Sequence, residues 1–251
     1  MLRAYHSPMA KSFPGFPPKA VTFLRQLKKN NTRDWFTPRK DEFESLLRQP
    51  MLELAGIIAD QMRSFAVDYV TEPKRAVHRI YRDVRFSKDK SPYKTNISAM
   101  FWRKGLPKNL SAGFYYSLSG DVFEMAGGLY MPGPEELAAV RRAIAHDAAG
   151  FKKQIEAKPC TKLMGPCRGE SLTRDPKGYE GHSAAALLRR KQFYYFVEEP
   201  SSIATQAGLE KRIIRSFKAM EPAIEFMNRI FLDSGAGEEE EARPKRPAPM
   251  F

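Results

Sequence analysis

Cysteine and histidine are scarce in this 251-residue sequence: there are two cysteines, Cys160 and Cys167, and four histidines, His6, His78, His146 and His182. The cysteines stand seven positions apart, wider than the close pairs of structural zinc sites, and no two histidines share a ligand-pair spacing. No metal site is therefore expected, and both thiols read as ordinary reduced side chains. Long apolar runs are missing too. The most apolar region, 51–67, is interrupted by Glu53, Asp60, Gln61, Arg63 and Ser64, far from the roughly 20 uninterrupted apolar residues of a membrane span. The start, Met1 to Pro8, has no apolar signal core, so a cytoplasmic protein without a membrane partner is the expectation. Reaction signatures are equally absent. There is no Gly-x-Ser-x-Gly elbow and no zinc-protease helix motif, and the Gly-rich run Gly127 to Gly133 lacks both the phosphate-loop lysine and the dinucleotide fingerprint, so it reads as a turn. The residues name no cofactor and no reaction, and leave enzyme against binding protein open.

Positive charge is what the chain has in excess: 42 Lys and Arg against 29 Asp and Glu, net +13. Residues 79–108 hold nine cations and two acids, so +7 of that total sits there. Its centre, Arg79 to Thr95, interleaves six cations with Tyr81, Phe86 and Tyr93. Arg79, Arg82, Asp83, Arg85, Lys88, Lys90, Tyr93 and Lys94 are the candidate ligand-binding residues, because guanidinium forks and ammonium groups converge readily on phosphate oxygens. The expected partner is a phosphate-bearing small molecule or a nucleic acid. A phosphate-handling enzyme using the same loop is the alternative, with Asp83, Glu170, His78 or His182 open to acid-base or orienting roles. A third reading makes the motif a self-neutralising Arg-Asp network that holds the fold. Of the aromatics near the loop, Tyr81, Phe86, Trp102, Tyr115 and Tyr130 read mainly as core, while Tyr93, following Pro92 in a polar setting, has a hydroxyl that could serve a ligand. A second basic region, 152–191, carries ten Lys/Arg against four acids, whereas 109–140 has four acids and no Lys or Arg. Charge segregated in this way favours a binding face.

Periodicity predicts an α+β fold with helices at both ends of a central antiparallel meander. Pro17-Pro18 opens a first helix that ends at Asn30-Asn31; Thr32 caps a second, carrying Trp35, Phe36, Phe43, Leu46 and Leu47 as far as Gln49-Pro50; a third bears Leu54, Ile57, Ile58, Met62 and Phe65. Strands are expected over Val77–Tyr81, Ile97–Trp102, Ala112–Leu118 and Val122–Leu129, the last two joined by the turn residues Ser119-Gly120-Asp121. Pro134 opens a helix with a kinked continuation to Ile155, residues 158–182 read as short strands and loops, Gln192–Val197 as an aromatic strand, and Ile203–Leu232 as helix broken near Pro222. The division expected is a flexible segment 1–12, one α+β domain over 13–232 and a disordered charged tail over 233–251. The tail holds five acids and three bases, so 1–232 carries +15.

The pattern Arg-Asp-x-Arg-Phe-Ser-Lys-Asp-Lys-x-Pro-Tyr-Lys-Thr at 82–95 resembles the core signature of the uncharacterised family called domain of unknown function 2461. Phe16, Phe23-Leu24 and Asn30 to Phe36 resemble its N-terminal block. Gly169 to Leu172, Pro176 to Tyr179 and Leu187 to Lys191 resemble its C-terminal block. The resemblance spans roughly residues 13–232 and implies a shared fold and a shared site; it carries over no catalytic residue.

Overall fold

The computed structural model of the chain describes residues 12–106, 108 and 110–234. The expected flexible N-terminus and charged tail lie outside the described residues except at Ser12, Asp233 and Ser234. Helix α1 (Pro18–Lys29) starts on a proline that has no N–H to leave unpaired in the first turn, buries Ala20, Val21, Phe23, Leu24 and Leu27 along one stripe, and stops at Asn30. Helix α2 (Arg33–Phe36) is capped as predicted, the Thr32 hydroxyl accepting the Trp35 N–H. The predicted end at Gln49-Pro50 does not occur. A 3-10 turn (Thr37–Arg39), α3 (Lys40–Phe43) and a π turn (Glu44–Arg48) lead directly into α4 (Gln49–Met62). The π turn explains why Pro50 is tolerated. The Gln49 N–H reaches back five residues to the Glu44 carbonyl, and the widened turn relieves the clash a proline ring makes with the carbonyl four residues before it.

After α5 (Pro73–Ala76) the period changes to that of strands. β1 (Asn96–Trp102), β2 (Gly113–Ser119), β3 (Val122–Leu129) and β4 (Phe193–Pro200) form one sheet in the order β1-β2-β3-β4, every neighbour antiparallel. The fold is therefore the expected α+β meander between helical ends. Ser119 closes the β2–β3 hairpin by accepting the Asp121 and Val122 N–H groups on its hydroxyl. Between β3 and β4 come α6 (Pro134–His146), α7 (Ala148–Ile155, capped by Asp147), α8 (Lys158–Met164) and α9 (Ala185–Leu188). Helix α8 replaces loops expected at 158–164: Pro159 sits in its first turn, where proline is harmless, and Cys160 and Met164 are buried. α10 (Leu209–Asp233) runs unbroken through Pro222, correcting the expected interruption. The predicted strand Val77–Tyr81 is also corrected. It forms only two isolated bridges, Val77 with Ala99 and Tyr81 with Tyr93.

Pairing register assigns each strand residue a face. Ile97, Ala99, Phe101, Phe114, Tyr116, Leu118, Phe123 and Met125 fill the core face, against which α10 packs through Phe217, its ring 4.8 Å from that of Phe114. Gly127-Gly128, which falls both in the expected strand Val122–Leu129 and in the run read as a turn, belongs to β3: a Cβ on Gly127 would stand 2.8 Å from Ile224 Cδ1, so glycine is what admits α10. Ser98 and Ser117 on the opposite face are buried, but Asn96, Met100, Trp102, Tyr115, Glu124, Ala126, Tyr194 and Phe196 keep partial exposure; this is the open face of the sheet. Residues 77–78 run along its β1 edge and Arg168 along its β4 edge. No helix of the described residues is long and apolar enough to cross a membrane.

Candidate functional site

The charged loop leaves the β1 edge and returns to it on a short ladder: Lys94 N–H bonds the Ile80 carbonyl and Arg82 N–H the Pro92 carbonyl, both near 2.8–2.9 Å. Two of its three arginines are consumed internally. Arg82, whose side chain is 19% exposed, binds Asp89 and reaches the Ser87 hydroxyl. Arg85 forks onto Asp83, Nε to Oδ1 at 3.0 Å and Nη2 to Oδ2 at 2.7 Å. That fork and the Arg85 N–H hold the Asp83 carboxyl down at about 2; the Ser91 hydroxyl and N–H and the Arg82 guanidinium hold Asp89 below the ordinary carboxylate range as well. Lys90 caps the Val84 carbonyl at 2.9 Å. Lys88 stands exposed at the tip, and Phe86, 71% exposed, lies under the Arg85 guanidinium at 5.7 Å. Tyr93 is 4% exposed and stacks on Phe36 at 4.1 Å, so its ring is part of the core wall rather than of an open pocket.

The other candidates gather at the base of the loop. Arg79 and Lys94 lie in each other's field, Lys94 and Lys108 likewise, and both lysines act on His78. Arg79 and Lys94 make no ion pair and no side-chain hydrogen bond among the described residues, though Arg79 lies in the field of Asp83; Lys108 bonds the Arg75 carbonyl, at 3.3 Å, and rides over the Trp102 ring at 4.4 Å. Partial burial first, and the neighbouring cation second, push both lysines below their ordinary value. Burial does the same to His78, helped by Lys108 and Lys94, bringing it down to about 3. The eight candidates therefore do not act as one cluster. Arg82, Asp83, Arg85 and Asp89 brace the loop, and Arg79 and Lys94 join His78 and Lys108.

From His78 a polar network crosses the open face. His78 Nδ1 lies 3.0 Å from Ser98 Oγ; the Tyr115 hydroxyl feels the Ser98 and Ser117 hydroxyls and is approached by Asn96 Nδ2 at 3.4 Å; and Ser117 Oγ lies 2.5 Å from Glu124 Oε2. Burial, countered in part by these hydroxyls, pushes the Tyr115 phenol up. Asn96, Ser98, Ser117 and Glu124 escaped the sequence reading because short polar residues on a meander look like solvent-facing alternation. The available signal was that Ser98 and Ser117 are register partners, and Ser117 and Glu124 are too. Arg75 and Trp102 also line an open depression of about 1050 Å3 with Asp60, Arg63, Glu72 and Lys104, on which acids and bases are mixed.

The second basic region does not extend this site. It lies against the β4 edge, where Arg168 pairs with Tyr194, and several of its cations are matched: Lys191 with Glu170 at 2.5 Å, Arg189 with Asp175 at 3.6 Å, and Arg190 Nη2 with the Cys167 carbonyl at 2.5 Å. His182 accepts the Ala184 N–H within its own turn. Cys160 and Cys167 are free thiols raised by burial to about 12 and about 11. Among the described residues no group of three or more His, Cys, Asp or Glu is placed to hold a metal ion.

A family model described as "Conserved hypothetical protein (DUF2461)" matches residues 19–226, which include the loop, all four strands and most of α10, and the chain belongs to that family. No curated protein matches the chain.

Proposed function

We propose that the protein binds a phosphate-bearing ligand at the base of the 79–95 loop, with Arg79, Lys94 and Lys108 as the phosphate-gripping groups. The observation that carries the reading is that Lys94 and Lys108 both act on His78, Arg79 acts on Lys94, and none of the three makes an ion pair among the described residues, while the arginines further out in the loop each make one. Lys94 and Lys108, held partly out of water, repel one another, and an anion removes that cost and gains charge-assisted hydrogen bonds. The braced part of the motif serves the same end, since the Arg82–Asp89 and Arg85–Asp83 pairs fix the excursion whose return strand delivers Lys94.

A thermal-shift titration tests this. Saturating inorganic phosphate, at a hundredfold excess over its dissociation constant, should stabilise the fold by about 2.7 kcal/mol. Lys94→Met and Lys108→Met should hold or raise the melting temperature of the unliganded protein and remove the phosphate response. No shift with phosphate or any phosphorylated compound, combined with loss of unliganded stability in both variants, would return the whole motif to a fold-holding role. The salt dependence separates a small ligand from nucleic acid, because only a partner neutralising many phosphates gives a steep logarithmic slope.

A further inference from the structure

Lys108 ties the phosphate site to the depression beside it by two contacts. Its Nζ donates to the Arg75 carbonyl at 3.3 Å and stands 4.4 Å from the centre of the Trp102 ring, and Arg75 and Trp102 both line the depression. A phosphate held by Lys108 therefore has the rest of its own molecule at the mouth of a hollow of about 1050 Å3, the size of a large small-molecule pocket. The lining suits a flat, polar body. Trp102 ends β1 on the open face of the sheet, stays partly exposed, and has as its register partner Gly113, which places no side chain beside the indole. The exposed Arg75 guanidinium lies 5.6 Å from the same ring. Aromatic rings and guanidinium planes are the surfaces on which nucleobases stack, and a bare sugar phosphate has no aromatic plane to set against them. Hydrogen-bonding groups of both kinds complete the lining: Glu72 and Lys104 are exposed and make no ion pair among the described residues, so a carboxylate acceptor and an ammonium donor are available to the edge of a base, which carries donors and acceptors itself. A long strand fits less well. Asp60 and Glu72 oppose a continuing phosphate backbone, and the second basic region, against the β4 edge with several of its cations matched, supplies no track for one.

Resting on the phosphate reading above, we infer that the ligand is a nucleoside phosphate, with its phosphate on Lys108 and its base in the depression against Trp102. Trp102 then supplies the preference for a base, and Glu72 and Lys104 the choice among bases.

Isothermal titration of the full chain at fixed ionic strength would compare inorganic phosphate, ribose 5-phosphate, the common ribonucleoside 5-monophosphates and a short single-stranded oligonucleotide. At least one mononucleotide should bind about tenfold more tightly than ribose 5-phosphate, a difference of about 1.4 kcal/mol. Trp102→Leu should bring that ratio close to one. Because the readout is a ratio within one protein, a general loss of affinity does not imitate it. A second measurement leaves the site intact: the chain has two tryptophans, so Trp35→Phe makes Trp102 the sole indole, and its fluorescence should change with the preferred mononucleotide and not with ribose 5-phosphate. Equal binding of ribose 5-phosphate and every mononucleotide by the wild type overturns the inference and leaves the phosphate site standing. A preference that survives Trp102→Leu also overturns it, as does an indole signal that fails to distinguish the two probes, or an oligonucleotide that binds more tightly than any mononucleotide with a steep salt slope. Failure of every phosphorylated probe removes the phosphate reading and this inference with it.

Discussion

Acid should weaken this fold through His78 before it weakens it through any carboxylate. The imidazole titrates near 6.5 in an unfolded chain and near 3 in the folded one, because burial and the charges of Lys108 and Lys94 disfavour its cationic form. A group whose folded pKa is depressed leaves stability intact above its unfolded value and subtracts from it as the pH falls toward the folded value, since only the unfolded chain takes up the proton. At pH 5 the deficit relative to pH 8 is RT times the logarithm of the ratio of the two binding polynomials, about 2 kcal/mol. For a domain of this size that is a loss of roughly 4–8 °C in melting temperature. His78→Asn keeps a donor where Nδ1 stands against Ser98 and does not titrate, so the difference between wild type and variant isolates this one group. Asp83 and Asp89, held low by their arginine and serine partners, lose their contribution only below about pH 4, and they do so equally in both proteins. Chemical denaturation at half-unit steps from pH 8 to pH 4.5 should show the two midpoints converging or crossing as the pH falls. Parallel midpoints across that range would refute the placement of a neutral, partly buried His78 beside two lysines.

Other perturbations follow from the same geometry. Arg82→Ala should lower the melting temperature by a few degrees and expose residues 83–91 to limited proteolysis, whereas Lys88→Ala should change neither, because Arg82 ties the two arms of the loop together and Lys88 stands exposed at its tip. Asn228→Ala removes the fully buried amide that bonds the Tyr69 hydroxyl, the Ala112 carbonyl and the Ala112 N–H, and urea denaturation should show a loss of at least about 3 kcal/mol. Gly127→Val should cost a similar amount by driving Ile224 and Met220 off the sheet, with the greatest loss of amide protection in α10. Both thiols should react slowly with a disulfide reagent at pH 8 in the native protein and at the rate of a free thiol in denaturant, as burial keeps both in the protonated form.

Much of this architecture was legible in the sequence where one physical rule acted alone. Proline at a first helical turn, Thr32 as a cap, alternation at Ile97, Ala99 and Phe101, and turn chemistry at Ser119-Gly120-Asp121 all depend on neighbours within a few residues. The misreadings come from distant partners. Pro50 looks like a stop because the π turn that accommodates it is not visible in composition, and Pro222 looks like a break because the packing of α10 on three aromatic strands outweighs one lost hydrogen bond. For the site, local charge count located the loop but not its division. Whether an arginine meets an aspartate two residues away, as Arg85 does, or seven away, as Arg82 does, is settled by the fold of the excursion. Glu124 meets Ser117 only through sheet register, and Lys108 meets Arg75 and Trp102 only through the path of the β1–β2 connection.

The long excursion between β3 and β4 has a consequence for how the chain is made. β1, β2 and β3 are joined by short connections and can pair as soon as Leu129 is synthesised, yet the helix that covers their apolar face ends at Asp233, about 100 residues later. At common translation speeds that interval is roughly 5–20 s, far longer than hairpins need to form. During it, the rings of Phe101, Phe114, Tyr116 and Phe123 have no α10 to cover them. The nascent meander is therefore sticky on one side only. The polar residues of the face that remains open in the finished protein already discourage a second sheet from stacking there, so Ser98, Ser117 and Glu124 act as gatekeepers against misassembly on the ribosome.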